Sequence, residues 1–577
     1  MAETSNGQIH GAGEDSSAPD PHEVKGWLAS LARGNRRWIR GTVAAGVAAG
    51  LATIAQMAFL ATVVHRGVVD DAPMAELSLP FLGVMLAMVV RAAAQGLQTH
   101  LAARCSEDVR RDARRQINHL WQSAGPVAIG HSSAGELSRE WLDHVEALHG
   151  YFARFLPQMT LSLVIPLMIL VLVFSLDWLA GIFLLLSAPL IPVFMALVGM
   201  GAEKLNQQHF QAISRLSGQF LDKVRGLSTL QLFGQTESAS LLIQSRSDHY
   251  RRITMKTLRV AFLSSAVLEF FASMAIAVIA IYIGFGLLGY ITYGPSDQLT
   301  LFSGLLILLL APEFFQPLRT LSQHYHDRAA ALGAGAEILA RLGSLKPLHE
   351  GRQPDRAPES TNVPADRIQL ESVTVEYRPG HPIFRDLTLS MERGSCIALT
   401  GPSGGGKSTL LHLLAGFIEP DEGSVSVLGR APGAVSFGWL GQTGFLVNGT
   451  WADNLRLTSP QASDIAIETA LKNVGLRPLL DSREQGIYSH VSECGRGLSG
   501  GQARRLSLAR IFVADYDLIL LDEPTAGLDT DSEIYVLEAL HKLAQAGKTL
   551  VFSTHHQALL TLANRVLLVT EGEVRDA

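Results

Sequence analysis

A helix of about 20 apolar residues is long enough to cross the hydrocarbon core of a membrane. This chain of 577 residues has six stretches of that length, all before residue 320, at roughly 41–64, 77–99, 155–176, 178–200, 260–288 and 299–318. They make its first half a helical membrane domain. The composition agrees, with 47 % hydrophobic and only 17 % charged residues, a low charge content for a wholly soluble chain. A formal net charge of -6 suits neither a nucleic-acid binder nor a polyanion. The three cysteines, Cys105, Cys396 and Cys494, form no CxxC and no Cys/His cluster, which argues against a disulfide scaffold or structural zinc site. They read as small buried apolar residues.

The segments between the spans sort by charge. Arg33, Arg36, Arg37 and Arg40 precede the first span, and Arg104, Arg110, Arg111, Arg114 and Arg115 follow the second. Lys204, Lys223, Arg225, Arg251, Arg252 and Lys256 lie between the fourth and fifth. The other turns, near Asp70 and Asp71, at Asp177 and at "YGPSDQ", are short and poor in lysine and arginine. By the positive-inside tendency both termini face the cytoplasm. The two cytoplasmic connections are long, and in "RLSGQFLDKVRGLSTLQLF" Leu216, Phe220, Leu221, Val224 and Leu227 recur at helical spacing, so the spans are expected to continue beyond the bilayer as helices.

Residues 1–23 lack the basic start and apolar centre of a signal peptide and read as a disordered tail. In the next segment Val24, Trp27, Leu28 and Leu31 share one helical face, predicting an amphipathic helix on the inner membrane surface. Within or beside the spans Gln56, Arg91, Glu269, Glu313 and Gln316 are expected to face the bundle interior, since a central charge costs roughly 2.5–3.5 kcal/mol on insertion scales. Each could touch cargo, pair across helices or snorkel. Pro312 and Pro317 are expected to bend the sixth span, either to shape a cavity or at its exit.

Residues 345–366, rich in proline and charge, read as a linker between a membrane domain at 24–344 and a soluble α/β domain at 367–577. The soluble domain opens with the strand-like "IQLESVTVEY" and alternates strands with helices, predicting a largely parallel sheet. Within it, "GPSGGGKST" follows the strand "CIALT" and precedes a helix. This is the setting of the phosphate loop G-x-x-x-x-G-K-[ST]. Gly401, Pro402, Ser403, Gly404, Gly405 and Gly406 leave backbone N–H groups free to converge on phosphate, and the helix terminus adds positive potential. Lys407 reaches the β and γ phosphates, Ser408 ligates Mg2+, and Thr409 completes the loop. The strand "LILLDEP" ends in Asp522, suited to the metal's surroundings, and Glu523, suited to polarising a water for in-line attack.

With "LSGGQ" at 498–502 the chain resembles the ATP-binding cassette exporters along nearly its whole length. The resemblance implies a six-span helical membrane domain followed by an α/β nucleotide-binding domain that hydrolyses ATP. It implies that Tyr377 stacks on adenine, Gln442 in "GQTGF" links Mg2+ to the membrane domain, and Asp522 and Glu523 are the Walker B pair. It also gives Asp529 to the loop between subunits and His555, with His556 as its rival, to the γ-phosphate switch. Ser499, Gly500, Gly501 and Gln502 then contact ATP held by an opposite cassette, so one cassette and six spans are half a transporter. "PLIPVFMALVGMGA", "RLSGQFLDKVRGL", "FLSSAVLEFF" and "LAPEFFQPLR" are similar to the D-subunit family of the bacterial heterodimeric CydDC exporters. That implies a homologous CydC-like partner, the bacterial inner membrane, export of cysteine and glutathione to the periplasm, and support of cytochrome bd assembly. Haem is the alternative cargo, although His65 and His100 sit only at span ends, and a regulated pore is the alternative mechanism. The approach "SHVSECGRG" departs from the G-E-R-G run common among exporters.

Overall fold

The structure is a computed structural model that describes residues 20–130, 132, 134–189, 220, 223–224, 226, 227–291, 294–345, 348, 366–378, 380–442, 444–492, 495, 497–570 and 572–577. Most of the N-terminal tail, the second half of the fourth span, the segment around Lys204, Arg225, nearly all of the linker and Cys494 lie outside the described residues. The chain divides into two units, 1–120 with 133–345, and 121–132 with 346–577.

Five helices among the described residues are long and apolar enough to span: Arg36–Val68, Met74–Gly130, Gly135–Leu176, Glu269–Leu287 and Leu301–Ser344. The expected fourth span begins as the apolar helix Trp178–Ser187, capped by Asp177, whose carboxylate accepts from Leu179 N and Ala180 N at 2.9 Å. Asp177 is buried, and its second oxygen accepts from the Tyr282 hydroxyl at 2.9 Å, joining that turn to the fifth span. Ile169, Leu184, Ile279, Ile283, Leu310 and Phe314 interlock in the core. The second span instead exposes Leu79, Leu82, Met85, Leu86 and Val89, an apolar face matched to lipid.

Where described, the spans do continue as helices: the second belongs to Met74–Gly130, kinked at Gly125, where φ is 77°, and the fifth to a helix of 52 residues, Thr236–Leu287, while Leu216 and Leu221 lie outside the described residues. Two expectations change. The helix Pro21–Gly34 does not lie with its apolar face open to lipid; Val24, Leu28 and Leu31 are buried, and Gly335 of the helix Tyr325–Ser344 brings that helix against Val24 and Trp27. Pro312 and Pro317 lie inside the helix Leu301–Gln323, each removing one N–H from its ladder. Gln158 Nε2 donates to the Pro317 carbonyl at 2.9 Å, a side-chain partner beside that break in the ladder. Finally, Glu269 and Gln316 are exposed and do not enter this protomer's core, whereas Arg91 donates to Gln56 at 3.4 Å between the first two spans.

Among its described residues the second unit holds eleven strands: β1 Arg367–Arg378, β2 His381–Glu392, β3 Cys396–Thr400, β4 Glu422–Val427, β5 Phe437–Leu440, β6 Gly449–Thr450, β7 His490–Val491, β8 Leu518–Leu521, β9 Thr549–Ser553, β10 Arg565–Thr570 and β11 Glu573–Asp576. The central sheet runs β11-β10-β3-β9-β8-β5, parallel except at β11. Every residue of β8 and β9 is buried, the continuous apolar pattern of parallel strands covered on both faces. β1 does not join this sheet; β2-β1-β4 form a separate antiparallel one. Cys105 and Cys396 are buried free thiols, as expected, and burial pushes the Cys396 thiol up to about 11.

Candidate functional site

Strand β3 delivers the chain into Gly401 to Gly406, and the helix Lys407–Ala415 leaves it. Gly401 sits at φ 132°, and a Cβ there would lie 2.1 Å from the Val569 carbonyl oxygen, so only glycine lets the loop turn this closely over β10. Gly405 N donates to the Pro402 carbonyl at 3.1 Å. Lys407 is buried, and its ammonium donates to the Gly401 and Pro402 carbonyls at 2.8 and 2.9 Å, which holds a positive charge at the loop. Beside it the Tyr377 ring is 47 % exposed, with its hydroxyl 3.5 Å from Thr409 Oγ1.

β8 lies next but one to β3 and brings its carboxyl end to the same edge of the sheet. Asp522 accepts from Ser408 Oγ at 2.8 Å and from Ser553 Oγ at 2.6 Å. A hydroxyl and a carboxylate so arranged are the hard oxygen donors that Mg2+ prefers. Glu523 has φ 47°, an uncommon conformation for a residue with a Cβ, and its N–H donates to Ser553 Oγ at 2.8 Å. The two histidines separate: His555 Nε2 lies 3.6 Å from Glu523 Oε1, whereas His556 Nδ1 is 3.1 Å from Glu533.

Ser499 caps the helix Gly500–Val513 in a reciprocal box, accepting from Gln502 N at 3.2 Å while Gln502 Oε1 accepts from Ser499 N at 2.9 Å. Ser499 and Gly500 are exposed. Among the described residues no hydrogen bond joins residues 499–502 to the phosphate loop of the same chain. Asp529 caps the helix Thr530–Gln545, and the bond from Ser532 N at 2.8 Å holds its carboxyl below the usual range. A Cβ on Gly501 would lie 2.3 Å from Ser532 Oγ, so the two helix starts are in close approach.

Two family matches cover these halves: the ABC transporter transmembrane region at residues 41–310 and the ABC transporter at 384–526. The glutathione/L-cysteine transport system ATP-binding/permease protein CydD of Escherichia coli (strain K12) is 37 % identical over 96 % of this chain and 94 % of its own length. The chain belongs to the CydD-like ATP-binding cassette transporters. The corresponding protein CydC of Bacillus subtilis (strain 168) is 32 % identical over 86 % of each chain. A bacterial Atm1-family ABC exporter solved with ATP bound shares the fold, with a TM-score of 0.76 over 94 % of this chain and 95 % of that one at 20 % identity. The transporter couples ATP hydrolysis to transport across a membrane.

One residue of the transporter's site was not singled out in the sequence. Arg504, 7 % exposed in the helix that Ser499 starts, donates to the carbonyls of Gln442 at 2.9 Å, Asp522 at 3.2 Å, Ala526 at 3.3 Å and Gly441 at 3.4 Å, and to that of Glu523. Burial lowers its pKa, opposed by the charges of Glu523 and Asp522. Gln442 itself exposes its side chain and engages Arg504 through its backbone. A signal was present: Arg504 shares a helix face with Leu508 and Ile511, both buried, which is an unusual place for an unpaired charge.

Proposed function

We infer that this transporter exports small thiols, cysteine and glutathione, from the cytoplasm across a bacterial inner membrane to the periplasm. In this reading both termini are cytoplasmic, the other half is a homologous CydC-like subunit, and the thiol supply supports cytochrome bd assembly. The observation that carries it is the match to CydD through both halves at 37 % identity, with the nucleotide machinery intact. Similarity to both a D and a C protein fits descent of two unlike halves from one ancestor.

Tyr377 offers adenine a ring to stack on, and the amides of 401–409 with Lys407 take the phosphates. Ser408 and Asp522, with Gln442, are the residues that would hold Mg2+, which when bound neutralises charge on the phosphate oxygens. Glu523 takes the proton of the attacking water, and His555 orients the γ-phosphate end of the site. Ser499, Gly500, Gly501 and Gln502 are unengaged with their own phosphate loop and meet the ATP of the partner cassette, with Asp529 at the seam. ATP then favours a closed pair of cassettes, and its cleavage removes the contacts that made closure favourable.

The separation of the histidines gives a direct check. His555→Ala should lower ATP turnover by about 10²-fold, whereas His556→Ala should stay within about twofold, because only His555 faces Glu523. Steady-state phosphate release reads both, and reversal of the order reassigns the switch. The cargo reading is tested in liposomes that hold both subunits, with cysteine, glutathione or haem added. Thiol-stimulated ATPase activity is expected; stimulation by haem alone overturns the reading.

A further inference from the structure

Exposed charges on spanning helices need an explanation, because lipid penalises them. Glu269, in the helix Thr236–Leu287, is 60 % exposed in its side chain and lies 3.1 Å from Arg319 Nη1 of the helix Leu301–Gln323. About 27 Å of helix at 1.5 Å per residue separates Glu269 from Leu287, and the same length separates Leu301 from Arg319. Both helices are joined at their other ends through the turn Gly294–Gln298. The pair therefore sits one hydrocarbon thickness from that turn, at the opposite mouth of the membrane domain.

The exposed face continues up the sixth helix. Gln316 stands one turn before Arg319 and Pro312 one turn before that, both exposed. A face with a carboxylate, a guanidinium and an amide differs in kind from the wholly apolar exposed face of the second span, Leu79, Leu82, Met85, Leu86 and Val89. The second face suits lipid; the first suits the water of the membrane mouth. Arg319 engages one carboxylate here, while a guanidinium carries five N–H donors, so it can take a second carboxylate beside Glu269.

The geometry points to Glu269 and Arg319 as the recognition site for the ammonium and carboxylate that cysteine and the γ-glutamyl end of glutathione both carry on one carbon. This rests on the thiol reading above. Arg319 takes the cargo carboxylate, and Glu269 takes the ammonium. The paired charges are opposite and adjacent, as are those of the cargo, so a zwitterion docks with no net charge added to the membrane mouth.

Three probes separate the roles in liposomes holding the full two-subunit transporter: cysteine, cysteamine, which lacks the carboxylate, and 3-mercaptopropionate, which lacks the ammonium. For the unmodified transporter, half-stimulation of ATPase activity is expected at a cysteine concentration at least about tenfold below that of either analogue. Arg319→Gln should raise the cysteine value to that of cysteamine and leave cysteamine nearly unmoved; Glu269→Gln should do the same relative to 3-mercaptopropionate. Arg319→Lys, which keeps charge and ion pair, should retain most of the discrimination and shows that the helix pair still folds. If the Gln variants move all three probes equally, or none, the pair is structural and the proposal falls. If no thiol stimulates the unmodified transporter, the cargo reading fails first, and this site with it.

Discussion

Glu523→Gln is expected to slow ATP hydrolysis by about 10²–10⁴-fold while leaving ATP binding within a few-fold of the original, the range associated with a positioned general base. The direction of this side chain is set by its backbone. Its N–H donates to Ser553 Oγ at 2.8 Å, its carbonyl takes Arg504, and its φ of 47° is held by those two bonds. Glutamine has the same shape and keeps every one of these contacts, so only the capacity to accept a proton is lost. Single-turnover hydrolysis by the two-subunit transporter, with nucleotide retention measured on a filter, separates the two effects. In liposomes the variant should accumulate ATP-bound and carry cargo through no more than one closure. Turnover within about tenfold of the unmodified transporter would place the base elsewhere, and continued ATP-dependent flux would favour a gated pore over a pump.

What the sequence made legible follows from how local each feature is. The phosphate loop is nine consecutive residues whose chemistry is written in glycine and lysine, and "LILLDEP" is one strand with its acids attached; their neighbourhood at one sheet edge follows from parallel topology. The spans were legible because lipid imposes a length and a composition. Contacts between distant segments were not. Arg504 joins residues 441–442 to 522–526 across the helix at 500–513. Nothing in the periodicity of any one segment states that. β1 reads as a strand, but its pairing with β2 and β4 in a separate sheet is decided by register with partners further along the chain. The face of Val24, Leu28 and Leu31 was legible as apolar; that a neighbouring helix and not lipid covers it depends on close packing at Gly335. Likewise, Glu269 and Gln316 were visible as polar residues near spans, and only the fold turns them away from the core.

Arg504→Met should destabilise the cassette by several kcal/mol, because buried carbonyls lose their charged donor. The five carbonyls it serves belong to two segments, 441–442 with Gln442 and 522–526 with the Asp522–Glu523 pair and Ala526. Methionine fills most of the volume and donates nothing, leaving each carbonyl to lose about 1–3 kcal/mol of compensation unless water or a neighbour replaces it. Stability and turnover should fall together, because the same guanidinium fixes the carbonyl of Glu523 and thereby its strained backbone. Arg504→Lys isolates the geometry: a lysine retains the charge but not the planar fork, so it can serve one or two of the carbonyls. The expected order of denaturant midpoints is therefore Arg, then Lys, then Met, with ATPase activity in the same order. Urea unfolding followed by tryptophan fluorescence reads the first series and phosphate release the second. A methionine variant with an unchanged midpoint would mean that these carbonyls find other donors, and the coupling of the helix at 500–513 to the hydrolytic site would then need a different carrier.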